Sequence, residues 1–150
     1  MVVRVKSHLN PGAINKKIIA QFQKTFPKSI KKDILNRIAS GNSPVAGKGR
    51  FEKYSDSYKK QIKSIPGKQV TPVNLKVTGK MLKSLLIRNI KNGISIIFTD
   101  PVAAYHDLLG AGRSKTIRRL LPGKGEKFYQ PIQKKINDAA IRAIKKVFKN

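Results

Sequence analysis

The chain has 150 residues, which suits one domain with a modest core, and no cysteine, which excludes disulfides and thiolate-bound metals. Its 33 Lys and Arg oppose only seven Asp and Glu, for a formal net charge of +26, so we expect it to seek polyanions or acidic protein surfaces. No apolar run approaches the roughly 18–20 residues that cross a bilayer, and the N-terminus lacks a secretion signal's apolar core.

Residues 1–40 are predicted to be helical. Pro11 and Gly12 are suited to the start of a helix, and Gly41 to its stop. Apolar residues recur at spacings of three and four, first as Ile14, Ile18, Ile19, Phe22 and Phe26, then after Pro27 as Ile30, Ile34, Leu35 and Ile38. Either two short helices or one kinked helix fits this pattern.

Residues 41–76 are predicted to be rich in loops. The stretches GNSPVAGKGRFEK and SIPGKQVTPVN contain several glycines and prolines, and Ser55 between them is suited to cap a short helix through Ile62. Loops this long in a compact domain are functional, mobile or ordered by neighbouring subunits.

Residues 77–150 are predicted to form a β-hairpin followed by a long helix. KMLKSL indicates a brief helix or turn, and the β-prone runs LLIRNI and ISIIFTD flank Lys91-Asn92-Gly93, a strong hairpin signal. VAAYHDLL suggests one or two helical turns. From about Phe128 an amphipathic helix presents one apolar side: Ile132, Ile136, Ala140, Ile144 and Val147. We expect a single α+β domain over 1–150, with the hairpin extended into a small antiparallel sheet and the last helix packed across it.

Catalysis is not expected. The two histidines are His8, in a terminus expected to be mobile, and His106, which precedes Asp107. Adjacent helical residues point apart, and no nucleophile-elbow motif accompanies this pair. The acidic residues form no cluster of the kind that two-metal nucleases need. We therefore expect no enzyme activity, no cofactor and no metal site.

Three glycine-rich pieces match neither the GxxxxGK[ST] nor the GxGxxG pattern of phosphate-binding loops. They are GKGR (47–50), GAGR (110–113) and PGKGEK (122–127). They are interpreted as turns, whose lysines and arginines are suited to touch phosphates as point charges. The two N-terminal helical patterns lack a clear helix-turn-helix turn, and the strand pair lacks the alternation of aromatic and basic residues found in an RNA-binding sheet. Any contact with nucleic acid is therefore expected to be with the backbone.

The order of several short motifs resembles a known family. VTGKMLKSL (77–85), GISIIFTDPVAAYHDLLGAG (93–112) and IRRLLP (117–122) are similar to segments of the tail-completion and virion-morphogenesis proteins of tailed bacteriophages, of the Mu G and lambda Z type. RFEKYSDSYKKQIK (50–63) resembles an upstream segment of the same family. The resemblance covers about two thirds of the chain and rests on the order and spacing of these segments. The chain departs from the family pattern in having no tryptophan and in GAGRSKT.

The resemblance implies a structural protein of the virion neck, assembled in the host cytoplasm. It implies a homo-oligomeric ring of roughly six or twelve copies around the DNA channel, in contact with connector and tail proteins and with no membrane partner. The expected structural motif is Thr78, Gly79, Leu82, Leu85, Tyr105, His106 and Gly110, with Tyr105 and His106 packed at the edge of the core. The expected contacts to protein or DNA backbone are Lys48, Arg50, Lys68, Arg113, Lys115, Arg118, Arg119 and Lys124. The alternative is a basic, non-sequence-specific DNA- or RNA-binding protein of nucleoid or ribosomal type.

Overall fold

A computed structural model describes residues 5–9, 16–76 and 79–149. The elements in chain order are β1 (Val5–Leu9), α1 (Lys16–Thr25), α2 (Ser29–Ala39), α3 (Asp56–Lys63), α4 (Lys80–Lys83), β2 (Leu85–Ile90), β3 (Gly93–Phe98), α5 (Val102–Ala104), which continues as a π-helical turn over Tyr105–Leu109, and α6 (Gln130–Phe148). Helices, a small antiparallel sheet and a long C-terminal helix confirm the predicted α+β class.

The sheet has three strands in the order β1-β3-β2, and both pairings are antiparallel. The predicted hairpin is confirmed, with Ile90 opposite Gly93 across a two-residue turn. The expectation that residues 1–40 are wholly helical is wrong, because Val5–Leu9 forms a strand that pairs with β3. In this register Leu9 lies opposite Ile94. A five-residue strand leaves little periodic signal, and its partner lies far along the chain.

The N-terminal helical region consists of two helices, which resolves the choice left open by the sequence. The residues on the predicted faces are buried, including Phe22 of α1 and Ile34 of α2. Gly41 follows α2 with a φ of +80°, the left-handed conformation expected of a helix stop. Pro11, Gly12 and Ile14 lie outside the described residues.

The C-terminal helix packs mainly along α1, not across the sheet as expected. Its most buried residues are Ile132, Ile136, Ala139 and Ala143. Ala140, Ile144 and Val147, which were expected on the buried side, are only partly buried. The small alanines allow a neighbouring helix to approach closely, so the contact line follows them instead of the larger apolar side chains.

The loop between α2 and α3 is ordered by contacts within the chain. Val45 forms a β-bridge with Phe128, and Tyr129 N donates to Pro44 O at 2.7 Å, which fixes this loop to the start of α6. The predicted cap of α3 is confirmed, since Ser55 Oγ accepts from Tyr58 N at 3.4 Å. Of the helices in the described ranges, none combines the length and the apolar character needed to cross a membrane.

Candidate interaction surface

Two of the segments on which the family resemblance depends, 93–112 and 117–122, lie side by side. After the π-helical turn the chain reverses in a loop, where Ala111 and Thr116 form a β-bridge. Arg118 N then donates to His106 O at 2.6 Å. The segment 117–122 therefore runs back along the helical turns of 102–109 and forms one unit with them.

Gly110 makes this reversal possible. Its φ is +82°, and a Cβ at this position would lie 2.3 Å from the carbonyl oxygen of Lys115. Any other residue would collide with the backbone of the returning chain. Gly110, which was expected to lie in a turn, is thus a site of close backbone approach.

Asp107 lies beneath the helical turns and is only 1% exposed. Its carboxylate accepts from the backbone N–H groups of Leu120 and Leu121, the latter at 3.1 Å. Burial raises the pKa of Asp107, although these hydrogen bonds and the nearby Arg119 act in the opposite direction. Asp107 therefore anchors the segment 117–122 to the helical turns.

Arg119 completes this anchor. Its Nη1 donates to Asp107 Oδ2 at 3.1 Å and to Asp107 O at 3.0 Å, and its Nη2 donates to Leu121 O and to the Glu126 carboxylate. Glu126 also accepts from Gly123 N at 2.8 Å and lies 3.7 Å from Lys48 Nζ. The Gly123 hydrogen bond, followed by Arg119 and Lys48, lowers the pKa of Glu126.

Arg118 is also held inside the fold. It is 5% exposed, its Nε donates to Glu52 O at 3.0 Å, and its Nη2 donates to Lys53 O at 3.1 Å. The guanidinium lies over the Tyr54 ring, 5.3 Å from its centroid. Arg118 and Arg119, predicted to contact a partner, are instead directed inward in this conformation. Arg118 donates to carbonyl oxygens of this chain, and Arg119 donates to carbonyl and carboxylate oxygens.

His106 is largely buried beside Arg118. Burial, and then the charge of Arg118, lower its pKa to about 4, so the imidazole is neutral at pH 7. Among the described residues, Nδ1 of His106 has no hydrogen-bond partner and no bond joins its side chain to Asp107. The adjacent His and Asp thus do not form a catalytic pair in this conformation.

The outer side of the same unit is apolar and solvent-exposed. We call it the apolar face; its members are between 44% and 55% exposed, and they are Val102, Tyr105, Leu108, Leu109 and Ile117. Tyr105, expected to pack at the edge of the core, is the most exposed of them. Several exposed apolar side chains on one short unit of a charged protein are typical of a surface that associates with a partner.

Six of the basic residues predicted to contact partners are exposed: Lys48, Arg50, Lys68, Arg113, Lys115 and Lys124. Arg113 and Lys115 lie on the reversing loop next to the apolar face, whereas Lys68 lies in a separate loop after α3. Of the structural motif, Leu82 and Leu85 are buried as expected and Gly79 has a φ of +73°, while Thr78 lies outside the described residues.

The chain matches no protein-family model, no curated protein and no solved structure. Within 5–9, 16–76 and 79–149, no three His, Cys, Asp or Glu residues are grouped so as to hold a metal ion. The features that sequence reasoning missed are the internal pairing of Asp107 with Arg119 and the anchoring role of Glu126. The scarcity of acidic residues was the signal that could have indicated these internal ion pairs, since a carboxylate in so basic a chain has many cations to pair with.

Proposed function

We propose that this protein is a structural component of the neck of a tailed-phage virion, where copies form a ring that joins the head connector to the tail. The observation that carries the proposal is the apolar face, which lies on the segment resembling the tail-completion family. Because Asp107 and Arg119 brace this segment from within, its outer side is a rigid platform suited to protein contact.

In this proposal the apolar face contacts a different surface of the neighbouring copy. Ring contacts are head-to-tail, so Arg113 and Lys115 beside the face need not meet their own counterparts. The remaining exposed basic residues then contact acidic neck proteins or the DNA backbone in the channel. Assembly takes place in the host cytoplasm, and the mature location is the virion.

The oligomeric state tests this proposal. Purified protein is expected to sediment as a ring and to show rings by electron microscopy, and Leu109→Asp is expected to give monomers. Ile141→Asp is the matched control, since Ile141 is 48% exposed on α6 against 50% for Leu109, and it is expected to leave the ring intact. A wild-type protein that stays monomeric at high concentration and is missing from purified particles would contradict the neck assignment.

A basic protein that binds DNA or RNA backbone is the second candidate. It is favoured by the charge distribution, because five of the seven acidic residues form ion pairs with cations of the described residues. Most of the positive charge is therefore left without a carboxylate partner in the chain. Duplex binding whose affinity falls steeply with salt, without any ring, would favour this candidate.

A further inference from the structure

A cavity of about 500 Å³ runs between β1, α6 and the loop 122–128. We call it the β1 groove. Four consecutive residues of the strand line it, Lys6 to Leu9. Successive side chains of a strand point to opposite faces of the sheet, so a cavity lined by four consecutive residues fits a position along the edge of the strand.

This edge is free. β1 is an outer strand, and β3 occupies its other side. The two-residue turn of the hairpin makes Ile90 and Gly93 a hydrogen-bonded pair, so Gly93, Ser95 and Ile97 bond toward β2 and the residues between them bond toward β1.

The same alternation places the backbone groups of β1. Leu9 and Ser7 lie opposite Ile94 and Ile96, and therefore bond to β3. The N–H and C=O groups of Lys6 and His8 then point away from the sheet, into the β1 groove. The groove thus contains a ready pattern of backbone donors and acceptors.

The lining of the β1 groove is basic. It includes Lys6, His8, Lys124 and Lys127, and one carboxylate, that of Glu126. The Glu126 carboxylate is already bound by Arg119 and Gly123 N. An incoming group with negative charge would therefore meet cations without a competing free carboxylate.

We propose that the β1 groove binds an extended acidic peptide segment of another protein, which adds to β1 as a fourth strand. The backbone of the peptide bonds to Lys6 and His8, and its acidic side chains contact the lysines of the groove. This site is separate from the apolar face and does not depend on the neck assignment.

Two other occupants fit less well. In an antiparallel pairing of two β1 strands centred on Ser7, Lys6 of each copy would lie opposite His8 of the other, beside the lysines of the groove, which is unfavourable between basic side chains. A nucleic-acid backbone would meet the outward carbonyl oxygens of Lys6 and His8, which repel phosphate. An acidic peptide satisfies both the donors and the acceptors.

The first test uses the unaltered full chain and a short fluorescent peptide of alternating Glu and Thr. We expect binding, and an affinity loss of about tenfold or more for a copy N-methylated at every backbone amide, since its charge is unchanged but its donors are gone. Hydrogen exchange provides the matched control within one strand: the amides of Lys6 and His8 should slow on binding, while that of Ser7, already bonded to β3, should not change.

A second test uses charge. Lys6→Glu combined with Lys124→Glu is expected to weaken peptide binding by about fivefold per charge at low salt, while Lys145→Glu on the exposed side of α6 should have little effect. Absence of binding by the unaltered chain would overturn the proposal. Equal binding of the N-methylated peptide would also overturn it. The same holds if the amide exchange of Lys6 and His8 slows with duplex DNA instead of with the peptide, or slows through self-association of the protein alone.

Discussion

The Asp107 carboxylate and the Arg119 guanidinium lie 3.1 Å apart, and their side chains are 2% and 17% exposed. This pair joins the helical turns of 102–109 to the returning segment 117–122. Each partner also bonds to backbone groups of the other segment, so the pair determines how the two motifs meet.

Replacing Asp107 is expected to destabilise the fold strongly. Asp107→Ala leaves the Arg119 charge without its buried carboxylate and the N–H groups of Leu120 and Leu121 without an acceptor, which costs about 3–5 kcal/mol. Asp138→Ala is the control, because its pair with Lys134 is exposed and worth less than about 1 kcal/mol. Urea denaturation of the three proteins measures both values, and an equal loss for the two variants would contradict the role of Asp107.

Substitutions of Arg119 and Arg113 are expected to have opposite effects on thermal stability and on polyanion binding. Arg119→Met removes an internal donor and is expected to lower the thermal midpoint, because Asp107 and Glu126 lose their shared partner. Arg113→Met removes an exposed charge and should leave the midpoint within about 2 °C of wild type, while weakening retention on a polyanion resin. Thermal melts and a salt gradient on heparin measure the two effects; the reverse result would place Arg119 at the surface.

Gly110 and Gly112 offer a matched test of close backbone approach. Gly110→Ala would bring a Cβ to 2.3 Å from Lys115 O and is expected to cost at least about 3 kcal/mol. Gly112 also has a positive φ, of +70°, but nothing lies within 4 Å of an added Cβ, so Gly112→Ala should cost only about 1 kcal/mol. Chemical denaturation measures the difference, and equal losses would mean that the loop adjusts freely.

Stability is expected to fall as the pH drops through the region where His106 titrates. Its pKa is lowered to about 4 in the folded state against an ordinary value near 6.5, so the unfolded chain binds this proton first. The contribution of His106 to the free energy of unfolding is present above about pH 6.5 and is lost toward pH 4. Over this range the free energy of unfolding changes by up to about 1.4 kcal/mol per pH unit. The raised pKa of Asp107 acts in the opposite sense at the acid end of this window.

His106→Phe should remove that slope between pH 6.5 and 4, as measured by the free energy of unfolding at several pH values. His8→Gln, on the exposed side of β1, is the control and should retain it. A slope that survives in His106→Phe would assign the pH dependence to other groups.

The local elements of this protein follow from short-range signals in its sequence. The spacing of Ile30, Ile34 and Ile38 predicts α2, Lys91-Asn92-Gly93 predicts the hairpin, and Ser55 predicts the start of α3, because each of these signals acts between residues close in the chain. The α+β class follows from their order.

Tertiary structure alone decided which charges face inward and which strand completes the sheet. Nothing in the run Ile117-Arg118-Arg119 distinguishes these arginines from exposed Arg113, because burial depends on carbonyls and carboxylates brought near by distant parts of the chain. In the same way, β1 has its partner far along the chain, so its outer edge and the β1 groove exist only once the sheet and α6 are assembled.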